Sequence, residues 1–162
     1  MNPKSLWLPD TAATDALAWA LAATQPEPVV AHLCGELGAG KSTLARAWLR
    51  ALGVEGPIRS PTYTLVERYA LAGGGEARHL DLYRIGDAGE LEFLGLDESP
   101  ARLWLVEWPQ RGFAALPSAT LRVSLSVEGG GRRCLLEGCG QAGQDWLAAD
   151  ELHQCLREFH EP

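Results

Sequence analysis

The sequence predicts an α/β fold with a mixed, mainly parallel central sheet, and three observations carry that prediction. The apolar run at residues 29–34 is followed by a glycine-rich stretch and then by a helical pattern at 42–52 closed by Gly53. Strand, loop and helix in that order form the unit that lays a helix on a parallel sheet. Two further apolar runs carry an acid, Asp81 within 78–83 and Glu107 directly after 103–106. Finally, 162 residues that are 46% hydrophobic and 22% charged suit one globular domain spanning 1–162. A chain of that size buries about two thirds of its unfolded surface without metal or disulfide help.

Taken in order, residues 6–8 read as an edge strand, and Pro9-Asp10-Thr11 as a turn and cap opening a helix to about residue 23. Leu17 and Leu21, four apart, share its buried face. That helix is expected to pack on the sheet, with the alternative that Thr11 or Thr14 lies beside a bound base.

Residues 35–42, Gly-Glu-Leu-Gly-Ala-Gly-Lys-Ser, match the phosphate-loop pattern G-x-x-x-x-G-K-[S/T] and sit where it must, between a strand and a helix. Glycines let successive backbone N–H groups face a phosphate chain, and the helix N-terminus adds partial positive charge. Lys41 brings a compact charge on a long stem to the terminal phosphates, and the Ser42 hydroxyl can ligate Mg²⁺. Lys4 and Lys41 are the only lysines among fourteen Lys and Arg, so lysine stands where a guanidinium fork would fit the loop badly. The fold class is therefore a P-loop NTPase-like three-layer sandwich.

Beyond a Gly56-Pro57 loop, Ser60-Pro61-Thr62-Tyr63 precedes an alternating strand pattern at 64–69. Ser60 and Thr62 occupy the place where nucleotide switches sense a γ-phosphate, though a proline turn before a strand explains the same residues. Residues 73–75, all glycine, form a turn, and 78–83 the next strand. An aspartate such as Asp81 between apolar neighbours is expensive to bury without a cation or hydrogen-bond donors. Four apolar residues ending in Glu107 is the Walker B arrangement, with the acid meeting Mg²⁺ or its water.

Residues 87–94 predict a short acidic helix ending at Gly95, and 108–112 stop the Glu107 strand, with Trp108 either core or a lid beside the nucleotide. Alternation over 121–127 and 132–137 around Glu128-Gly-Gly-Gly131 predicts a hairpin. Residues 146–159 predict one amphipathic helix with His153 and His160 facing solvent.

The net charge of −7 argues against a broad grip on nucleic acid and for a partner protein or a metal-chelated nucleotide. Cys34, Cys134, Cys139 and Cys155 contain no C-x-x-C pair and are expected to be buried reduced thiols. Three apolar residues at 6–8 and the run at 16–23 are too short for a signal core or a membrane span, so a cytoplasmic, membrane-free protein is expected.

Five blocks in order, GELGAGKS at 35–42, SPTYTLVE at 60–67, HLDLYR at 79–84, ELEFLG at 90–95 and LVEWP at 105–109, closely resemble the bacterial TsaE (YjeE) family. The resemblance covers about residues 8 to 112. It implies a small ATPase required for threonylcarbamoyladenosine (t6A) formation in tRNA, which binds the TsaB–TsaD complex and meets tRNA only through it. Carried over by position, it implies that Leu37, Gly38, Ala39, Gly40, Lys41, Ser42 and Thr43 hold the phosphates of ATP. It also implies that Ser42 and Glu107 hold Mg²⁺, and that Lys41, Asp81, Glu107 and Trp108 serve the ATPase cycle. Ser60 and Thr62 match its switch-like loop, and Thr11 and Arg132 are placed toward the nucleotide. The family commonly has threonine where this chain has Ser42, and either hydroxyl can ligate Mg²⁺. A small-molecule kinase would share the loop and the acids but lacks an arginine-rich lid segment here, and a non-hydrolysing nucleotide-gated adaptor is the third class.

Overall fold

The computed structural model describes residues 3–96, 100–112 and 115–160. The strands are β1 (Lys4–Leu8), β2 (Val29–Cys34), β3 (Val66–Ala70), β4 (Glu76–Asp81), β5 (Ala101–Glu107), β6 (Leu121–Glu128) and β7 (Gly131–Gly138). The helices are α1 (Thr11–Thr24), α2 (Lys41–Ala51), α3 (Gly140–Ala148) and α4 (Asp150–Leu156).

Among the described residues seven strands join one sheet in the order β1-β7-β6-β2-β5-β4-β3. The central pairings β6-β2, β2-β5 and β5-β4 are parallel, and β3, β7 and β1 are added through antiparallel pairings. The parallel centre arises because β2 and β4 each reach the next parallel strand by a long crossover, whereas the glycines at 73–75 and 129–131 are hairpin turns.

Alternation along the strands decides which residues meet the helices. Val29, Ala31 and Leu33 of β2, Leu103 and Leu105 of β5, and Leu121, Val123 and Leu125 of β6 share one core with Leu17 and Leu21 of α1 and Leu44, Trp48 and Leu49 of α2. The opposite face of β4 and β5 carries Leu80 and Val106, which pack with Leu82, Ile85, Leu91 and Leu96 as a thinner third layer. Asp10 caps α1, its carboxylate accepting from Ala13 N at 2.9 Å. Trp48 and Trp146 meet edge to face at 6.3 Å, tying α2 to α3.

Three expectations change. The acidic stretch forms a 3-10 helix over Ala88–Leu94, opened by an i→i+3 bond from Glu90 N to Asp87 O at 3.0 Å, and the carbonyls of Leu94 and Gly95 at its end accept from the Arg68 guanidinium at 2.7 and 2.8 Å. The tail is two helices rather than one, broken at an extended Ala149 with φ −68° and ψ 136°. The break lets Trp146 and Leu147 pack from α3 while Leu152 and Leu156 reach the same core from α4. His153 and His160 are exposed as expected. Of the four free thiols only Cys134 is buried; Cys34 at the end of β2, Cys139 directly after β7 and Cys155 in α4 are partly exposed.

Candidate active site

The register fixes the site. Glu107 of β5 lies opposite Leu33 of β2 on one side and Asp81 of β4 on the other, so both acids stand at the carboxyl ends of adjacent parallel strands. By parity they point to the helix-covered face, where α2 begins. Ligands in open parallel sheets bind at that end.

Between β2 and α2 the loop turns back on itself. Gly35 has φ +146°, and a Cβ there would lie 2.4 Å from the Leu125 carbonyl oxygen of β6, so no larger residue fits. Gly40, at φ 108°, precedes α2 without any side-chain cap, which leaves the first N–H groups of the helix directed at the cleft. The cleft has a volume of about 560 Å³. That is ample for a nucleotide, in the range of roughly 300–1,000 Å³ typical of ligand sites.

Leu37, Gly38, Gly40, Lys41, Ser42 and Thr43 line it from the loop and helix, and Thr11, Thr62, Asp81, Glu107, Trp108 and Arg132 from elsewhere. Ala39 does not line the cleft: its methyl is buried in the core and its carbonyl oxygen accepts from Arg132 Nε at 3.1 Å. Arg132 also donates to Gly38 O at 3.3 Å, so it braces the loop from β7. Ser60 is exposed and stands outside the cleft wall, reaching it through a 2.8 Å hydrogen bond with Thr62.

Ser42 Oγ donates to Glu107 Oε1 at 2.9 Å, with Oε2 at 3.2 Å. Helix start and strand end are thus joined by the two oxygen groups that would hold a divalent cation. Asp81, 7% exposed, is satisfied without a cation: its Oδ1 accepts from Tyr83 N at 3.0 Å and its Oδ2 from Thr62 Oγ1 at 3.3 Å. The hydroxyl-rich turn and the β4 acid are therefore one unit. Leu65, at φ 67°, ends that turn in the left-handed region, and its carbonyl accepts from Asp81 N at 3.1 Å.

Lys41 is buried, and Nζ donates to the Gly35 and Glu36 carbonyls at 2.6 and 2.8 Å. Burial pushes its pKa down, while Glu107 and Asp81 hold it up. Trp108, in the left-handed region at φ 56°, lays its ring 4.7 Å from Lys41 Nζ and 4.9 Å from the Tyr83 ring. The strained backbone directly after Glu107 turns the indole into the cleft.

Asp10, Thr14, Tyr83, Arg84, Gly130 and Gly131 also line the cleft, and only Thr14 among them was legible in the sequence. His79 was missed as well. It is 2% exposed, and its Nε2 lies 2.6 Å from Glu107 Oε2. The signal that finds it is the period of two, since His79 and Asp81 share a face of β4. Among the described residues no group of three or more His, Cys, Asp or Glu is placed to hold a metal. One carboxylate and one hydroxyl suit Mg²⁺, which keeps waters and takes phosphate oxygens as its remaining ligands.

A glycine loop between β2 and α2, with an acid at the end of the neighbouring parallel strand, makes this a P-loop NTPase-like α/β protein. Over 95% of this chain and 97% of the other, the structure resembles a crystal structure of Bacillus subtilis YdiB, with a TM-score of 0.73 and 25% identity. A family profile described as "Threonylcarbamoyl adenosine biosynthesis protein TsaE" matches residues 8–134. The chain is 38% identical to the tRNA threonylcarbamoyladenosine biosynthesis protein TsaE of Haemophilus influenzae, over 75% of this chain and 77% of that one. It is 39% identical to the Synechocystis protein of the same name, over 72% and 76%. The chain belongs to the TsaE family of threonylcarbamoyl adenosine biosynthesis proteins, and the match runs past the motif blocks into β7.

Proposed function

We propose that this protein is a cytoplasmic, single-domain ATPase that binds and hydrolyses ATP with Mg²⁺ and thereby supports turnover of the TsaB–TsaD complex in t6A formation. The observation that carries the reading is the Ser42–Glu107 contact at 2.9 Å beside Lys41, in one cleft lined by the loop. The names of the relatives supply the pathway, and the net charge of −7 supports contact with tRNA through partners.

The loop N–H groups and the α2 N-terminus cradle the phosphates. Lys41 leaves the Gly35 and Glu36 carbonyls and turns to the terminal phosphates. Ser42 and Glu107 hold the cation. Magnesium, when bound there, would supply positive charge that offsets the charge developing on the phosphates. Asp81, held by Thr62 and the Tyr83 amide, orients the attacking water. Trp108 closes over Lys41 and excludes solvent. Phosphoryl transfer draws most of its acceleration from positioning and charge neutralisation, which is what these groups provide.

The test is reconstitution of tRNA modification from TsaB, TsaD and their substrates, with and without this chain, scored by nucleoside mass spectrometry and by ADP release. Multiple turnovers only in its presence, with ADP accumulating, are expected. Modification independent of the chain would refute the pathway role. Phosphate appearing on a small acceptor instead of in solution would make it a kinase.

A further inference from the structure

An imidazole in β4, the outermost strand of the parallel centre, has one polar tie among the described residues. His79 is 2% exposed, its Nε2 lies 2.6 Å from Glu107 Oε2, and its Nδ1 is buried with no hydrogen-bond partner among the described residues. A residue kept only for packing at such a position would be apolar, because burying a polar nitrogen without a partner is unfavourable. An ionised carboxylate only accepts, so Nε2 carries the proton and donates. With that tautomer the unpartnered Nδ1 is an acceptor rather than a stranded N–H.

The two oxygens of Glu107 are thereby given different neighbours. Oε2 is held from the β4 side by His79, while Oε1 takes the shorter contact with Ser42 Oγ. His79 pairs in register with Leu105, so it stands on the diagonal from Glu107 on the same face of the sheet. A glutamate side chain has three rotatable bonds, and among the described residues His79 is the one donor that distinguishes Oε2 from the Oε1 turned to Ser42.

We infer that His79 is a positioning residue, which orients Glu107 so that Oε1 stays turned toward Ser42 and the cation that the two hold together. The inference rests on the reading of Ser42 and Glu107 as the cation's protein ligands. Groups that orient a ligating side chain are typically worth about 10- to 100-fold in metal affinity.

The test measures Mn²⁺ binding to the full chain with a non-hydrolysable ATP analogue, by the loss of the free-ion electron paramagnetic resonance signal. Binding of the analogue in EDTA and thermal melting are measured in parallel. His79→Leu, which keeps bulk and removes the donor, should weaken Mn²⁺ binding about 10-fold or more. Metal-free binding of the analogue should stay unchanged. His79→Gln, whose amide can donate from near the Nε2 position, should recover most of the loss. If His79→Leu does not fold, His79→Asn, whose amide is too short to reach Oε2, takes its place.

Equal losses in the Leu (or Asn) and Gln variants, or Mn²⁺ binding in His79→Leu that overlays the parent, would overturn the inference while leaving the cation site intact. Glu107→Gln is the control for the underlying reading. If it too binds Mn²⁺ like the parent, the cation assignment fails and the inference falls with it.

Discussion

Replacing Lys41 by alanine separates binding from folding, and the structure sets the size of the effect. Lys41 is 4% exposed, and its ammonium makes two hydrogen bonds, 2.6 Å to Gly35 O and 2.8 Å to Glu36 O, which it must give up to meet a phosphate. At about 4 Å and an effective dielectric constant of about 20, its attraction to one phosphate charge is roughly 4 kcal/mol. Releasing two carbonyls offsets about 1–3 kcal/mol of that. The net loss in Lys41→Ala is therefore about 1–3 kcal/mol, or roughly 5- to 150-fold in Kd for Mg-ATP. Turnover should fall further, by about 100-fold or more, because negative charge on the transferring group is met most strongly in the transition state. Calorimetric titration and phosphate release measure the two quantities, and a thermal melt shows that the fold survives. If the variant binds and hydrolyses ATP like the parent, Lys41 braces the loop and does not serve the phosphates.

Further outcomes follow from other parts of the molecule. A Cβ at Gly143 would lie 2.0 Å from the Thr120 carbonyl oxygen, so Gly143→Ala should lose at least about 1–3 kcal/mol with nucleotide affinity unchanged, seen as a drop of about 2–4 °C in Tm per kcal/mol. A melt that overlays the parent would mean that α3 does not dock on the β6–β7 end of the sheet. Burial pushes the Cys134 thiol from 9.0 to about 12. Above pH 9 the unfolded chain loses this proton and the folded chain keeps it, so stability falls as pH rises, by about 1.4 kcal/mol per unit from this group. Denaturant unfolding between pH 8 and 10.5 should show a shallower fall in Cys134→Ala, and parallel slopes would refute the assignment. With a net charge of −7, filter binding at physiological salt should show no tight complex between the isolated protein and tRNA, and retention without partners would contradict the indirect role.

What the sequence made legible was local or periodic. The phosphate loop announces itself because glycines, a lysine and a hydroxyl must fall at fixed spacing between a strand and a helix, and β2 and α2 fall there within a residue or so of expectation. Glu107 was legible because an acid ended an apolar run. What stayed hidden depends on residues distant in the chain. The Arg132 brace spans 93 positions to Ala39 O, and the His79–Glu107 contact becomes visible only once β4 lies beside β5. Gly138 and Gly143 pack backbone to backbone, leaving no apolar period to announce α3 before Trp146. The break at Ala149 reflects the need of two short helices to reach one core from different directions.

The most direct check is a crystal structure of the protein with magnesium and a non-hydrolysable ATP analogue. Density for the phosphates against the N–H groups of residues 38–43, with a metal about 2.1 Å from Ser42 Oγ and Glu107 bound to it directly or through one water, is the predicted result. A vacant loop with the analogue elsewhere, or Glu107 still paired to Ser42 and far from any metal, would contradict the account.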